Sequence, residues 1–168
     1  NGKWKIPAVS VIVFSIALRL VAIWGEPIHE SDFYRYIWDG KSFNAGINPY
    51  RFEPGAIYLW QEGIEEPFPD ESTSVEWRGR EFTPAETEIL EKLNQLRLED
   101  PEWYSRISHR AVTTVYPPFA QLVFAISSLG SSWSVTGLKL ILISFDMGIV
   151  LLLLSLARRF EIPVGLVI

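Results

Sequence analysis

The chain has 168 residues, seven of them tryptophan, no cysteine, and a net charge of −5. One domain fits that length, the lack of cysteine excludes disulfide and thiolate–metal frameworks, and the lack of a basic cluster argues against nucleic acid as a partner. Acidic residues concentrate between Glu53 and Glu102, with most basic ones outside that block.

Ile6 to Trp24 is apolar apart from Ser10, Ser15 and Arg19. At 1.5 Å per helical residue such a run just covers a hydrocarbon core of ~30 Å. Lys3 and Lys5 also fit a signal peptide, but the apolar run is longer than a usual signal core and no small-residue cleavage site follows. The positive-inside tendency puts the N-terminus in the cytoplasm, and Arg19 can reach the far interface through its aliphatic stem. Residues 1–24 are therefore expected to form a first transmembrane helix, and residues 25–115 an extracytoplasmic loop. The seven tryptophans suit a chain with much interfacial surface.

That loop is too long to lack structure of its own. A first helix is expected from about Ser31 to Ala45, where Phe33 and Ile37, then Tyr34 and Trp38, form i,i+4 pairs along an aromatic stripe. Gly46 stops it. So aromatic a helix, placed directly after a span, is expected to lie along the interface. A second helix opens at Thr83, where Thr83-Pro84-Ala85-Glu86 has capping-box spacing with proline at the first helical position. Its apolar face is Ile89, Leu90, Leu93 and Leu96, and Asp100-Pro101 ends it. A short third helix starts at Pro101. Pro49 to Thr83, rich in Pro, Gly and Glu, reads as ordered loop or partial disorder.

Beyond the loop, Pro117 to Leu129 is apolar but short, and Gly137 to Ala157 is a clear span that ends at Arg158 and Arg159. Residues 116–133 either cross the bilayer or only dip into it. The second choice leaves Arg158 and Arg159 in the cytoplasm, as positive-inside prefers. Residues 158–168 connect to a further apolar run. The start at Asn1 and the stop within IPVGLVI are expected of an N-terminal piece of a longer membrane protein. Asp146, within the span at 137–157, is expected to bind helices of a further part of the protein together or to pair with Lys139.

Glu30 and Asp32 make an acid-x-acid pair at the start of the first loop helix. Local pattern favours capping by Ser31 or Asp32. The alternative is a general base facing a cavity at the membrane surface. A divalent metal is the weaker choice, because two carboxylates offer a hard cation too few oxygens. Arg35 and Asp39, four apart, suit either a surface ion pair or a guanidinium that grips phosphate, leaving Asp39 beside it. Asn48-Pro49-Tyr50 signals a turn, and Arg51 is a second possible phosphate contact. His29 and His109 lack metal-ligand spacing. Tyr116-Pro117-Pro118 reads first as a helix start.

Taken together, the acidic pair, DFYRYIWDGKSFNAGINPY and the later YPPFAQLVFA resemble the integral-membrane glycosyltransferases of the GT-C superfamily. The nearest group is the bacterial mannosyltransferase-like proteins with RY-x-WDG, G-x-NPY and YPP motifs. The resemblance covers about Ile6 to Leu129. It implies an all-α, multi-pass membrane protein of the bacterial cell membrane, with its active site on the extracytoplasmic face and with residues 116–133 crossing as a second membrane helix. It also implies a lipid-linked sugar donor, such as a polyprenyl-phosphate hexose, and a glycan or lipid acceptor. Asp32 matches the catalytic acid and Glu30 the acid before it. Arg35, Tyr36, Trp38, Asp39, Asn48, Tyr50, Arg51 and Tyr116 fall on the motifs expected to bind substrate. Because the pair is Glu-Ser-Asp here, a shared metal role is not implied. A non-catalytic membrane scaffold or partner-binding subunit is the alternative, in which Glu30 and Asp32 act as caps.

Overall fold

A computed structural model describes residues 8–25, 31–60, 81–130 and 132–161. Every regular element among them is helical: α1 (Ala8–Trp24), α2 (Phe33–Asn44), a 3₁₀ turn (Pro54–Ala56) running into α3 (Ile57–Trp60), α4 (Pro84–Glu99), α5 (Pro101–Ser105), α6 (Pro118–Ser127) and α7 (Thr136–Arg159). The chain divides into two units, His29–Gly137 and the pair of segments Asn1–Ile28 and Leu138–Ile168.

The second of these units contains α1 and most of α7. With 24 residues, α7 is the one helix among those described that is long and apolar enough to cross a membrane. It exposes Leu140, Leu142, Phe145 and Leu151 around its circumference, as a helix immersed in hydrocarbon does. α1 has 17 described helical residues, or about 25 Å at 1.5 Å each. Arg19 of α1 pairs with Asp146 of α7, and its Nη1 also donates to the Ser15 carbonyl at 3.0 Å. Asp146 is thus the tie between two helices, and Lys139 is not its partner. Lys139 instead donates to the carbonyls of Ile23 and Gly25. A charge at membrane depth is tolerated when it is paired in this way.

In the other unit the capping box forms at Thr83 as its spacing predicts. Glu86 N–H donates to Thr83 Oγ1 at 3.3 Å, and Thr83 N–H donates to Glu86 Oε2 at 2.9 Å. α4 then buries Leu90, Leu93 and Leu96, and its partners are Trp38, Ile47, Phe52, Ile57, Tyr104 and Ile107. α2 runs two residues shorter at its start than expected and ends before Gly46, whose φ of 77° suits glycine. The helical turns at Pro54–Trp60 lie where a loop was expected. They form because Phe52, Ala56 and Ile57 enter the core.

Two features differ from the reading of the sequence. The aromatic stripe of α2 packs on protein: Trp38 is 2% exposed and belongs to the core, and Tyr34 meets the Trp103 ring edge-on at 4.8 Å. The second membrane helix expected over 116–133 is also not continuous. α6 has ten residues, about 15 Å at 1.5 Å each, too short for a core of ~30 Å. Ser127 and Ser128 end it by donating back to the Phe124 carbonyl, each at 2.7 Å.

Close packing of α2 on α6 positions the functional residues. Gly40 makes it possible, since a Cβ there would strike the Phe124 carbonyl and Ser128 Oγ. Two polar side chains of α2 then close the contact. Lys41 Nζ donates to the Gly130 carbonyl at 2.8 Å, and Asn44 Nδ2 to the Ala125 carbonyl at 2.9 Å. The first carbonyl lies just past the C-terminal end of α6 and the second in its last turn, where carbonyls lack the usual i+4 partner.

Candidate active-site cleft

Asp32 occupies the N-cap position of α2 but makes no side-chain cap hydrogen bond. Its carboxylate points to the segment leading into α6. Oδ1 accepts from Ser108 Oγ at 2.9 Å and Oδ2 from the Tyr116 hydroxyl at 2.8 Å. The capping role favoured by local pattern is therefore not the one realised. A carboxylate has about four acceptor positions, so two hydrogen bonds fix its orientation and leave capacity for another donor. Glu30 and His29 lie outside the described residues.

The carboxylate stands on the wall of a cleft of about 210 Å³, lined also by Arg35, Ser108, His109 and the segment Val112–Tyr116. Tyr116 is oriented by α2 and α6 together. Its ring meets Tyr36 edge-on at 5.0 Å, and Tyr36 in turn stacks on Phe124 at 4.6 Å. Burial first, and then its hydrogen bond to Asp32, push the Tyr116 phenol well above its usual range. The phenol keeps its proton and donates it in the hydrogen bond to Asp32 Oδ2. Tyr50 donates from its hydroxyl to the Tyr116 carbonyl.

Arg35 is 6% exposed. Its Nε donates to Asp39 Oδ1 at 2.8 Å, and its Nη1 to the carbonyls of Val112 at 2.9 Å and His109 at 3.3 Å. The i,i+4 ion pair exists, but it is buried rather than on the surface. Asp39 Oδ2 accepts from Gln121 Nε2 at 3.2 Å, and the same nitrogen donates to Thr114 Oγ1 at 2.8 Å. This chain of polar groups ties α2, the cleft segment and α6 into one frame. The cleft segment turns at His109, whose φ of 52° is uncommon for a residue other than glycine. Such backbone states persist where surrounding contacts hold them; here two guanidinium hydrogen bonds to the segment do so. Arg35 Nη2 is buried and makes no hydrogen bond among the described residues.

The other expected substrate residues divide clearly. Tyr36, Tyr50 and Tyr116 gather at or beside the cleft. Trp38 is in the hydrophobic core, so it supports α2 and does not line the cleft. Asp39, 2% exposed, holds Arg35 and Gln121. Asn48 does what its turn signal predicts, accepting from Tyr50 N–H at 3.0 Å. Arg51 sits 3.6 Å from Glu86 at the start of α4 and over the Phe52 ring, away from the cleft lining. Ser108, Thr114, Gln121 and the His109 turn went unpredicted. Ser108 lies 76 residues from Asp32, and no local pattern marks it.

No protein-family model, curated protein or solved structure matches the chain.

Proposed function

We propose that the protein is an integral-membrane glycosyltransferase that moves a hexose, mannose favoured, from a polyprenyl-phosphate donor to an acceptor hydroxyl on the extracytoplasmic side. The observation that carries this reading is the placement of Asp32. Its carboxylate does not cap α2 but is held by Ser108 and Tyr116 on the wall of a cleft that also contains a buried arginine. In the proposed reaction the acceptor oxygen forms a bond to the anomeric carbon as the bond from that carbon to the phosphate oxygen breaks. The acceptor proton passes to Asp32. The departing group leaves as polyprenyl phosphate, so no acid is required to protonate it. Displacement in a single step inverts the anomeric centre, through charge development like that of glycoside hydrolysis. The Arg35 charge is paired with Asp39, so its part is as a directed N–H donor: its Nη2, which makes no hydrogen bond among the described residues, would favour anionic charge developing on the phosphate.

The test is transfer from labelled polyprenyl-phosphate mannose in membranes containing the protein, wild type against Asp32→Asn at matched amounts. Loss of a general base is expected to lower the rate by about 10²–10⁴-fold. Asparagine keeps one oxygen for Ser108 or Tyr116, which limits structural damage. A decrease of only a few-fold would remove Asp32 as base. The scaffold reading, in which Asp32 merely pins the 108–116 segment to α2, would then stand.

A further inference from the structure

α6 presents two unlike faces. Gln121, Phe124, Ala125 and Ser128 are buried, on the side where Gln121 meets Asp39, Tyr36 stacks on Phe124, and Asn44 donates to the Ala125 carbonyl. The opposite side carries Phe119, Leu122 and Ile126, with Leu129 just past the helix end, exposed by 69, 49, 59 and 73%. Val112 and Val115 are also exposed, and both line the Asp32 cleft. Apolar surface therefore continues from the helix to the cleft mouth.

We propose that this surface is seated in the hydrocarbon edge of a lipid bilayer. Three observations select lipid over a protein partner. First, no charged residue and no histidine occurs between Arg110 and Lys139, whereas protein interfaces formed in water carry polar, solvent-accessible rims. Second, α6 is followed in the sequence, after residues 128–135, by α7, the one described helix long and apolar enough to cross a membrane. Third, α6 is too short to cross and has only one face free. A helix of that kind lies in the interface plane with its apolar side a few ångströms into the acyl region. The contact does not depend on the transferase reading. Were both correct, an amphiphilic substrate would meet the cleft from the bilayer side, past Val112 and Val115.

The absence of cysteine makes the test clean. Single cysteines at Val115, Leu122 and Ile126 would carry a nitroxide label in the protein reconstituted into phosphatidylcholine–phosphatidylglycerol vesicles. Glu88, exposed on α4, serves as the aqueous reference. Collision rates with oxygen, which partitions into lipid, and with a water-soluble nickel chelate are then compared. The expected result is several-fold more oxygen than nickel collision at Leu122 and Ile126, a smaller excess at Val115, and the reverse at Glu88. Nickel dominance at Leu122 and Ile126 would place the face in water and overturn the proposal. Low collision with both probes would show that protein covers it, and would overturn the proposal equally. Because no label readout needs activity, failure here is distinguishable from failure of Asp32 as base.

Discussion

α2 and α6 pack against each other, yet each reverses the expectation its composition sets. α2 carries Arg35, Asp39 and Lys41 and buries seven of its twelve residues, these three included. α6 carries no charge, and it exposes Phe119, Leu122 and Ile126. Ions are inside and hydrocarbon is outside. The interior is sustained because its charges have partners: Arg35 has Asp39 and two carbonyls, and Lys41 has the Gly130 carbonyl. A buried charge without such partners is costly. The exterior carries no such compensation. Exposed apolar surface is unfavourable only against water, so the comparison fits the proposal that the outer face of α6 meets lipid.

The largest expected effect comes from breaking the interior. Asp39→Ala leaves Arg35 Nε and Gln121 Nε2 without their carboxylate. Removing one member of a buried pair is expected to destabilise by about 3–5 kcal/mol. Thermal unfolding in detergent would register this as a large fall in midpoint. The double change Arg35→Met with Asp39→Leu removes both charges and should recover part of the loss, though the His109 and Val112 carbonyls still lack their donor. Were the double variant no better than the single, the frame would depend on more than charge pairing. Gly40→Ala comes next. Alanine ordinarily improves a helix by about 0.8–1.0 kcal/mol relative to glycine, but here its methyl group meets the Phe124 backbone. Overpacking of this kind costs about 1–3 kcal/mol, so the same measurement should show a net loss. A gain would mean that α2 and α6 stand further apart than the glycine contact requires.

How much of this was legible in the sequence depends on the range of the interaction that decides each element. The start of α4 was readable, because the Thr83–Glu86 capping box is complete within four residues. So was the end of α2 at Gly46, and so was the length of α7. Asp32 was misread on local pattern for the same reason: the N-cap position was visible, but the hydroxyls of Ser108 and Tyr116 that take the carboxylate are 76 and 84 residues away. Resemblance to a known family brought Asp32, Arg35 and Tyr116 forward as site residues. It also brought Trp38 and Arg51, which the structure commits to the core and to Glu86. A motif records which residues occur together, without dividing those that face a cleft from those that hold its walls. The aromatic stripe of α2 was seen correctly as a stripe. Its burial against Trp103 and Tyr104 depends on α5, which no helical periodicity in α2 can report.

The smallest expected effect tests the exterior, and it is informative because it is small. Leu93 and Leu122 are the same residue on two helices, the first 2% exposed in the core and the second 49% exposed on the outer face of α6. Leu93→Ala removes packed methyl groups and leaves a cavity, at an expected cost of about 2–5 kcal/mol. Leu122→Ala removes the same atoms from a site half-exposed among the described residues, where surface changes stay within about 0.5 kcal/mol. In detergent or lipid the deleted contacts are replaced by acyl chains, so the unfolding midpoint should barely move. A Leu122→Ala cost equal to that of Leu93→Ala would mean that α6 is packed on both sides by protein. Its apolar face would then be an ordinary core surface, and the contrast with α2 would no longer fit a lipid contact.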